Sequence, residues 1–230
     1  VSCGAATLVL GVGGPMRTNV YVTVLEPGAT WSASAQTSAA LSTKAPIVQL
    51  VAYRDETPRV LIRTITSLLY GTIVHDDGFR IRLHARVHTG THLPTRQVDA
   101  RPVPGAMHRA YAVDTHGTVR EWDTATRRLT ELASFEPVPE DRWWMLAPRE
   151  PHTLFATSCY DIYTLDVRDP SPHTLLSMPY STDTLSRTHI TNMVASHLHA
   201  HLLAIATTDY VQYYDVRYAH VPWHTWRHHR

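Results

Sequence analysis

The stretch Ala110-Tyr111-Ala112-Val113-Asp114-Thr115-His116-Gly117-Thr118-Val119-Arg120-Glu121-Trp122-Asp123 reads as an apolar strand, a tight polar turn and a second strand closed by an aspartate. Two further stretches align with it without gaps. One runs from Leu154-Phe155-Ala156-Thr157 through Cys159-Tyr160-Asp161-Ile162-Tyr163-Thr164-Leu165-Asp166. The other runs from Leu203-Ala204-Ile205-Ala206-Thr207-Thr208 through Asp209-Tyr210-Val211-Gln212-Tyr213-Tyr214-Asp215. The closing aspartates stand 43 and 49 residues apart. A unit of that length buries its apolar faces only by stacking on the next unit.

The period matches a four-stranded propeller blade, about 40–45 residues in the WD40 class. Val119, Ile162 and Val211 fall on one side of the second strand, and Trp122, Leu165 and Tyr214 on the other. Both faces are apolar because a blade has a neighbour on each side. The aspartate that follows accepts hydrogen bonds from the next turn, the Asx-turn role. Trp122-Asp123 is the WD dipeptide itself. These residues read as scaffold, as do the Asp-x-Arg pairs Asp166/Arg168 and Asp215/Arg217.

The expected fold is therefore all-β, a WD40-like β-propeller. At about 45 residues a blade the chain holds about five, so a partial propeller is expected. Residues 1–230 read as one propeller domain or fragment. The better-defined blades lie near 106–135, 150–180 and 195–230, with degenerate blades before 90. A chain opening at Val1 reads as a piece of something longer.

Working outward, period-two apolar patterns continue upstream. Val20–Val24 reads as a strand, and Leu8–Val24 as a hairpin. Ile47–Tyr53, Val60–Ile65, Leu68–Val74 and Phe79–Val87 follow, the last two joined by His75-Asp76-Asp77-Gly78, whose Asp-Gly pair is a hairpin signal. No long window repeats apolar residues at helical spacing. Thr30–Lys44 reads as a long loop or an embellishment, and Thr89–Pro104 and Thr182–Thr191 as polar connectors.

Composition narrows the function. The chain of 230 residues has 21 Lys and Arg against 20 Asp and Glu, a net charge of +1. Bulk charge thus gives little affinity for a polyanion, although local patches remain possible. At 43% hydrophobic and 18% charged, the chain is globular. No run approaches the 18 apolar residues of a spanning helix, so no membrane role is expected. Two cysteines, Cys3 and Cys159, build neither a disulfide framework nor a Cys-rich zinc site. A reducing compartment follows. Lys44 is the sole lysine, a bias that a GC-rich genome would produce.

Three candidates for chemistry stand out. His197, His199 and His201 alternate, and on a strand they would project three imidazoles from one face, a weak metal-site candidate. No further ligand has suitable spacing, and histidine is common throughout, so a surface cluster is the plainer reading. His-x-His pairs also occur in metallohydrolase barrels, but the strand–helix alternation of a barrel is absent. Gly11-Val12-Gly13-Gly14 lacks the rest of a nucleotide-binding pattern and reads as a turn. Cys159 reads as packing within a strand. The tail Trp223-His224-Thr225-Trp226-Arg227-His228-His229-Arg230 joins rings and cations, and so offers a possible interaction surface at Trp223, Trp226, Arg227, His228 and Arg230. Its plainer reading is the outer strand of the last blade. No catalytic constellation and no cofactor are expected.

A resemblance enters at that tail. Thr207-Thr208, Asp215-x-Arg217, Pro222 and Trp226-Arg227-His228-His229-Arg230 together resemble the propeller of the largest subunit of the fungal RNA polymerase I core factor. That family is related to the large TBP-associated subunit of animal selectivity factor. Val60-Leu61-Ile62-Arg63-Thr64, preceded by Pro46-Ile47-Val48-Gln49-Leu50, is similar to an Arg-containing strand of an earlier blade there. The resemblance implies a non-enzymatic scaffold in the nucleus and nucleolus. It implies as partners the TFIIB-like and other core-factor subunits, RNA polymerase I and TBP, with the rDNA promoter met as part of the complex. The family's helical region would lie beyond Arg230. A second resemblance is to WD40 substrate receptors of cullin-4 ubiquitin ligases, which share Asp-x-Arg endings on consecutive blades. Leu165 and Tyr214 stand where those receptors have Trp.

Overall fold

The computed structural model describes residues 2–3, 6–25, 37–53, 57–76, 78–88, 96–136, 141, 143–178, 188–196 and 198–228. Their strands form five antiparallel sheets of four, each built from strands consecutive in the chain. Among the described residues there is no α-helix, and two short 3-10 turns lie at Pro15–Arg17 and Val216–Tyr218. Two compact units result, residues 1–96 with 123–128 and residues 97–122 with 129–230.

The first unit holds two sheets. Strands β1 (Ser2–Cys3), β2 (Ala6–Gly13), β3 (Asn19–Leu25) and β4 (Thr37–Ser42) form one. Strands β5 (Ile47–Tyr53), β6 (Arg59–Thr64), β7 (Ser67–His75) and β8 (Phe79–His88) form the other. Leu8, Val20, Val22, Val60, Ile62 and Ile73 belong to one buried cluster between them. Burying each such side chain stabilises the fold by about 1.5–3 kcal/mol. The inner strand β6 is buried along nearly its whole length because both of its faces are covered.

The second unit holds three sheets: β9 (Gln97–Pro102) to β12 (Arg128–Ser134), β13 (Met145–Glu150) to β16 (Asp169–Ser177), and β17 (Ile190–Ala195) to β20 (His224–Arg227). Between their ends lie β10 (Arg109–Asp114), β11 (Thr118–Asp123), β14 (Thr153–Thr157), β15 (Asp161–Asp166), β18 (Leu202–Thr207) and β19 (Tyr210–Asp215). One core cluster joins Tyr111, Val113 and Val119 to Leu146, Leu154 and Leu165. A second joins Phe155 and Ile162 to Ile190, Leu203 and Tyr214. Each middle sheet face therefore has an apolar partner. Polar groups also cross between sheets. The buried Asp99 carboxylate accepts the amide of Leu146 at 2.8 Å, and the Tyr111 hydroxyl donates to the carbonyl of Pro151 at 2.9 Å.

Three stretches expected to be irregular are partly strand. Thr37–Ser42 is β4, Gln97–Pro102 is β9, and β17 already begins at Ile190. In β9 the alternation is hidden because the inward residues are Gln97 and Asp99, both buried. Asp99 is tolerated there because Ala100 N, Arg101 Nε and Leu146 N all donate to it. Pro102 ends an outer strand, where a missing donor costs little. Gly11 and Gly13 lie within β2, and the turn starts only at Gly14.

Candidate functional site

The three repeat segments occupy matching places. Asp123, Asp166 and Asp215 each end the third strand of their sheet. Leu154 pairs with Leu165, and Leu203 with Tyr214, at corresponding register positions. Each aspartate accepts at Oδ1 from the amide two residues on: Ala125 at 2.9 Å, Arg168 at 3.0 Å and Arg217 at 3.0 Å. Trp122, Leu165 and Tyr214 are buried on one face and Val119 and Ile162 on the other, while Val211 is half-buried.

Two of these turns carry an ion pair. Arg168 donates from Nε to Asp166 Oδ1 at 2.9 Å and from Nη2 to Oδ2 at 2.6 Å. Arg217 repeats the same distances on Asp215. Hydrogen bonds from Arg168 hold the Asp166 carboxyl well below the usual carboxylate range. Those from Arg217, with a smaller contribution from His201, bring Asp215 down to about 2. Both pairs face solvent, so they shape the turn more than they stabilise the fold.

His199 and His201 are not on a strand. Ser196 and residues 198–201 lie between β17 and β18, and His199 and His201 are exposed there. Ser196, between apolar Ala195 and the polar run, ends the strand by accepting at Oγ from the amides of Leu198 and His199. His197 lies outside the described residues. Among the described residues no three His, Cys, Asp or Glu side chains are grouped to hold a metal. The turn instead walls a shallow cleft of about 430 Å³ with Leu198, His201, Asp215, Arg217 and Trp223.

The tail divides in two. Strand β20 pairs with β19, setting Trp226 opposite Val211. His228 donates its amide to Asp209 O at 3.1 Å, and its Nε2 lies 3.2 Å from Thr207 O. The Trp223 amide donates to Tyr213 O at 2.7 Å. The two indoles are left outside, Trp223 at 78% and Trp226 at 68% exposure. Arg227 is exposed beside them, and Arg230 lies outside the described residues. Two large rings in water beside cations are what a protein-contact surface presents. In the first unit, Arg63 Nε donates to Gln49 Oε1 at 2.9 Å, joining the two earlier segments that carry the resemblance.

Cys159 lies in the bend between β14 and β15 rather than in a strand. Its amide donates to Asp141 Oδ2 at 2.7 Å, and burial, with Asp141 beside it, pushes the thiol up to about 12. Such a thiol is a poor nucleophile. The buried carboxylates Asp99, Asp114 and Asp141 escape a reading by pattern. Asp114, which accepts from two backbone amides and from Arg120 Nη1, is signalled only by the Gly117 turn that follows it.

No protein-family model matches this chain, and no curated protein sequence does. Solved structures do. A COPII outer coat vertex on membranes matches with a TM-score of 0.68 and 14% identity, over 97% of this chain and 61% of that one. The COPII coat assembled on membranes matches equally, over 34% of its chain. The C-terminal WD40 domain of Sif2 matches with a TM-score of 0.53 and 13% identity, over 89% of this chain and 52% of its own. The chain therefore spans about three fifths or less of these structures. The fold is that of WD40-type propeller proteins, and the five sheets are its blades.

Proposed function

We propose that this chain is a non-enzymatic scaffold, the propeller portion of the largest subunit of an RNA polymerase I core factor. In this reading it works in the nucleolus and supports initiation at the rDNA promoter together with the TFIIB-like and third core-factor subunits, polymerase I and TBP. The observation that carries the reading is the last blade. The residues of the resemblance gather there: Thr207 against His228, Asp215 clamped by Arg217, and Trp226 outward on β20. A motif whose polar members fold the blade while its rings stay in water suits a docking element. At 13–14% identity the coat and Sif2 structures support the scaffold fold rather than a particular assembly. Chromatin immunoprecipitation of the tagged full-length protein tests the reading. Enrichment at the rDNA promoter over other promoters supports it, and uniform or absent enrichment contradicts it.

The paired Asp–Arg clamps favour the second reading, a cullin-4 substrate receptor, because they recur with one geometry on two consecutive blades. That reading makes Arg168 and Arg217 adaptor contacts, which the first does not.

A further inference from the structure

The lone lysine lines a cleft. Lys44 and Arg86 line one cleft of about 170 Å³ in the first unit, together with Thr43, Ser67, Leu69 and Leu83. No acidic residue lines it. Some arginines, such as Arg101, Arg120 and Arg217, have a carboxylate at salt-bridge distance, and others, such as Arg82 and Arg128, have none among the described residues. Among the described residues Lys44 and Arg86 have none. Two cations lining one cleft without a carboxylate in its walls give a local positive potential that favours an anion.

The walls are held in place before any ligand arrives. Thr43 donates its amide to Thr18 O at 2.8 Å, and its hydroxyl lies 2.9 Å from Thr18 O and 2.8 Å from Ala45 O, fixing the link that carries Lys44. Arg86 sets Nε and Nη2 on the hydroxyl of the buried Ser67 at 3.3 and 3.2 Å. That contact orients the guanidinium and leaves Nη1 for a ligand. The local charge agrees: residues 1–96 hold nine Lys and Arg against five Asp and Glu, whereas 97–230 hold twelve against fifteen. The overall balance of +1 conceals this split.

We propose that this cleft binds the phosphoryl group of a phosphoserine or phosphothreonine on a partner protein. An ammonium point charge and a forked guanidinium are the usual pair for a phosphate dianion. The cleft is larger than a phosphate alone, and Leu69 and Leu83 give it an apolar wall that suits a short aliphatic stem. No aromatic side chain lines it, so a nucleobase has nothing to stack on. A protein source for the phosphate rests on the scaffold reading but not on the core-factor assignment.

The test is fluorescence anisotropy of the chain with a labelled Gly-Ala-phosphothreonine-Ala-Gly peptide at low salt. The expected result is saturable binding, at least tenfold weaker for the unphosphorylated twin and displaced by inorganic phosphate. Lys44→Ala should weaken it at least fivefold at unchanged melting temperature, and Lys44→Arg should restore most of the loss. Because Arg86 supports Ser67, Arg86→Ala is read only alongside its melting curve. Equal binding of the unphosphorylated peptide, or indifference to Lys44→Ala, overturns the proposal. So does a random duplex DNA or an anionic phosphatidylserine vesicle that binds more tightly with the same dependence on Lys44. Failure of the core-factor assignment in cells leaves this binding result unaffected.

Discussion

Arg217 closes on Asp215 with two parallel hydrogen bonds of 2.9 and 2.6 Å, while its own backbone amide is held by the same carboxylate at 3.0 Å. One aspartate thus ends a strand, shapes a turn and immobilises an exposed guanidinium. Arg168 and Asp166 repeat this one blade earlier.

The carboxyl of Asp215 titrates near 2 in the folded protein, below its ordinary value. Its contribution to stability is therefore complete above the ordinary carboxylate range and is lost as pH falls toward 2. Carboxyl NMR shifts should show a midpoint near 2 for Asp215, and Arg217→Ala should return it to the ordinary range. A midpoint unmoved by that substitution would separate the pair in solution.

Gly117 sits at φ +76°, and a Cβ there would lie 2.5 Å from Cζ2 of the buried Trp144. Gly117→Ala combines left-handed strain with overpacking, so a loss of about 2–4 kcal/mol is expected in denaturant unfolding. Trp144 stacks on Phe135 at 5.4 Å between ring centroids, so its near-ultraviolet dichroism should change with the same substitution.

Trp122 is fully buried, and its Nε1 has no hydrogen-bond partner among the described residues. Trp122→Ala should cost about 3–5 kcal/mol by leaving a cavity. Trp122→Phe, which gives up no hydrogen bond, should cost clearly less. Comparable losses for the two would mean that the indole N–H is engaged.

The Cys159 thiol, pushed up to about 12, should resist alkylation in the native protein. Peptide mass spectrometry after iodoacetamide at pH 8 should find Cys159 modified many-fold more slowly than in the unfolded chain. Asp141→Ala, which removes both a neighbouring negative charge and the acceptor of the Cys159 amide, should speed it. Rapid native labelling would contradict this.

Much of the fold was legible because stacking blades demand apolar residues on both faces. Val119 with Trp122, and Ile162 with Leu165, announce this without any structure. In β9 the inward positions are Gln97 and Asp99, and the Asp99 carboxylate is satisfied in part by the amide of Leu146 on a distant strand, which no local pattern encodes. In the histidine run, alternation sets side chains on one face only where backbone pairing continues, and Ser196 ends the strand just before it. The tail showed its rings in sequence, but only the pairing of β20 with β19 separates the clamping His228 from the outward Trp226. Lys44 and Arg86 lie 42 residues apart, and their shared cleft exists only in the folded unit.

If, as proposed, this propeller holds together a polymerase I initiation assembly, quantitative mass spectrometry of partners purified with the tagged native protein tests that role most directly. The account predicts recovery of the TFIIB-like and third core-factor subunits near equal stoichiometry, reduced when Trp223 and Trp226 are both changed to Ala at unchanged melting temperature. Recovery of a cullin-4 adaptor instead, abolished by Arg168→Ala with Arg217→Ala, would contradict it.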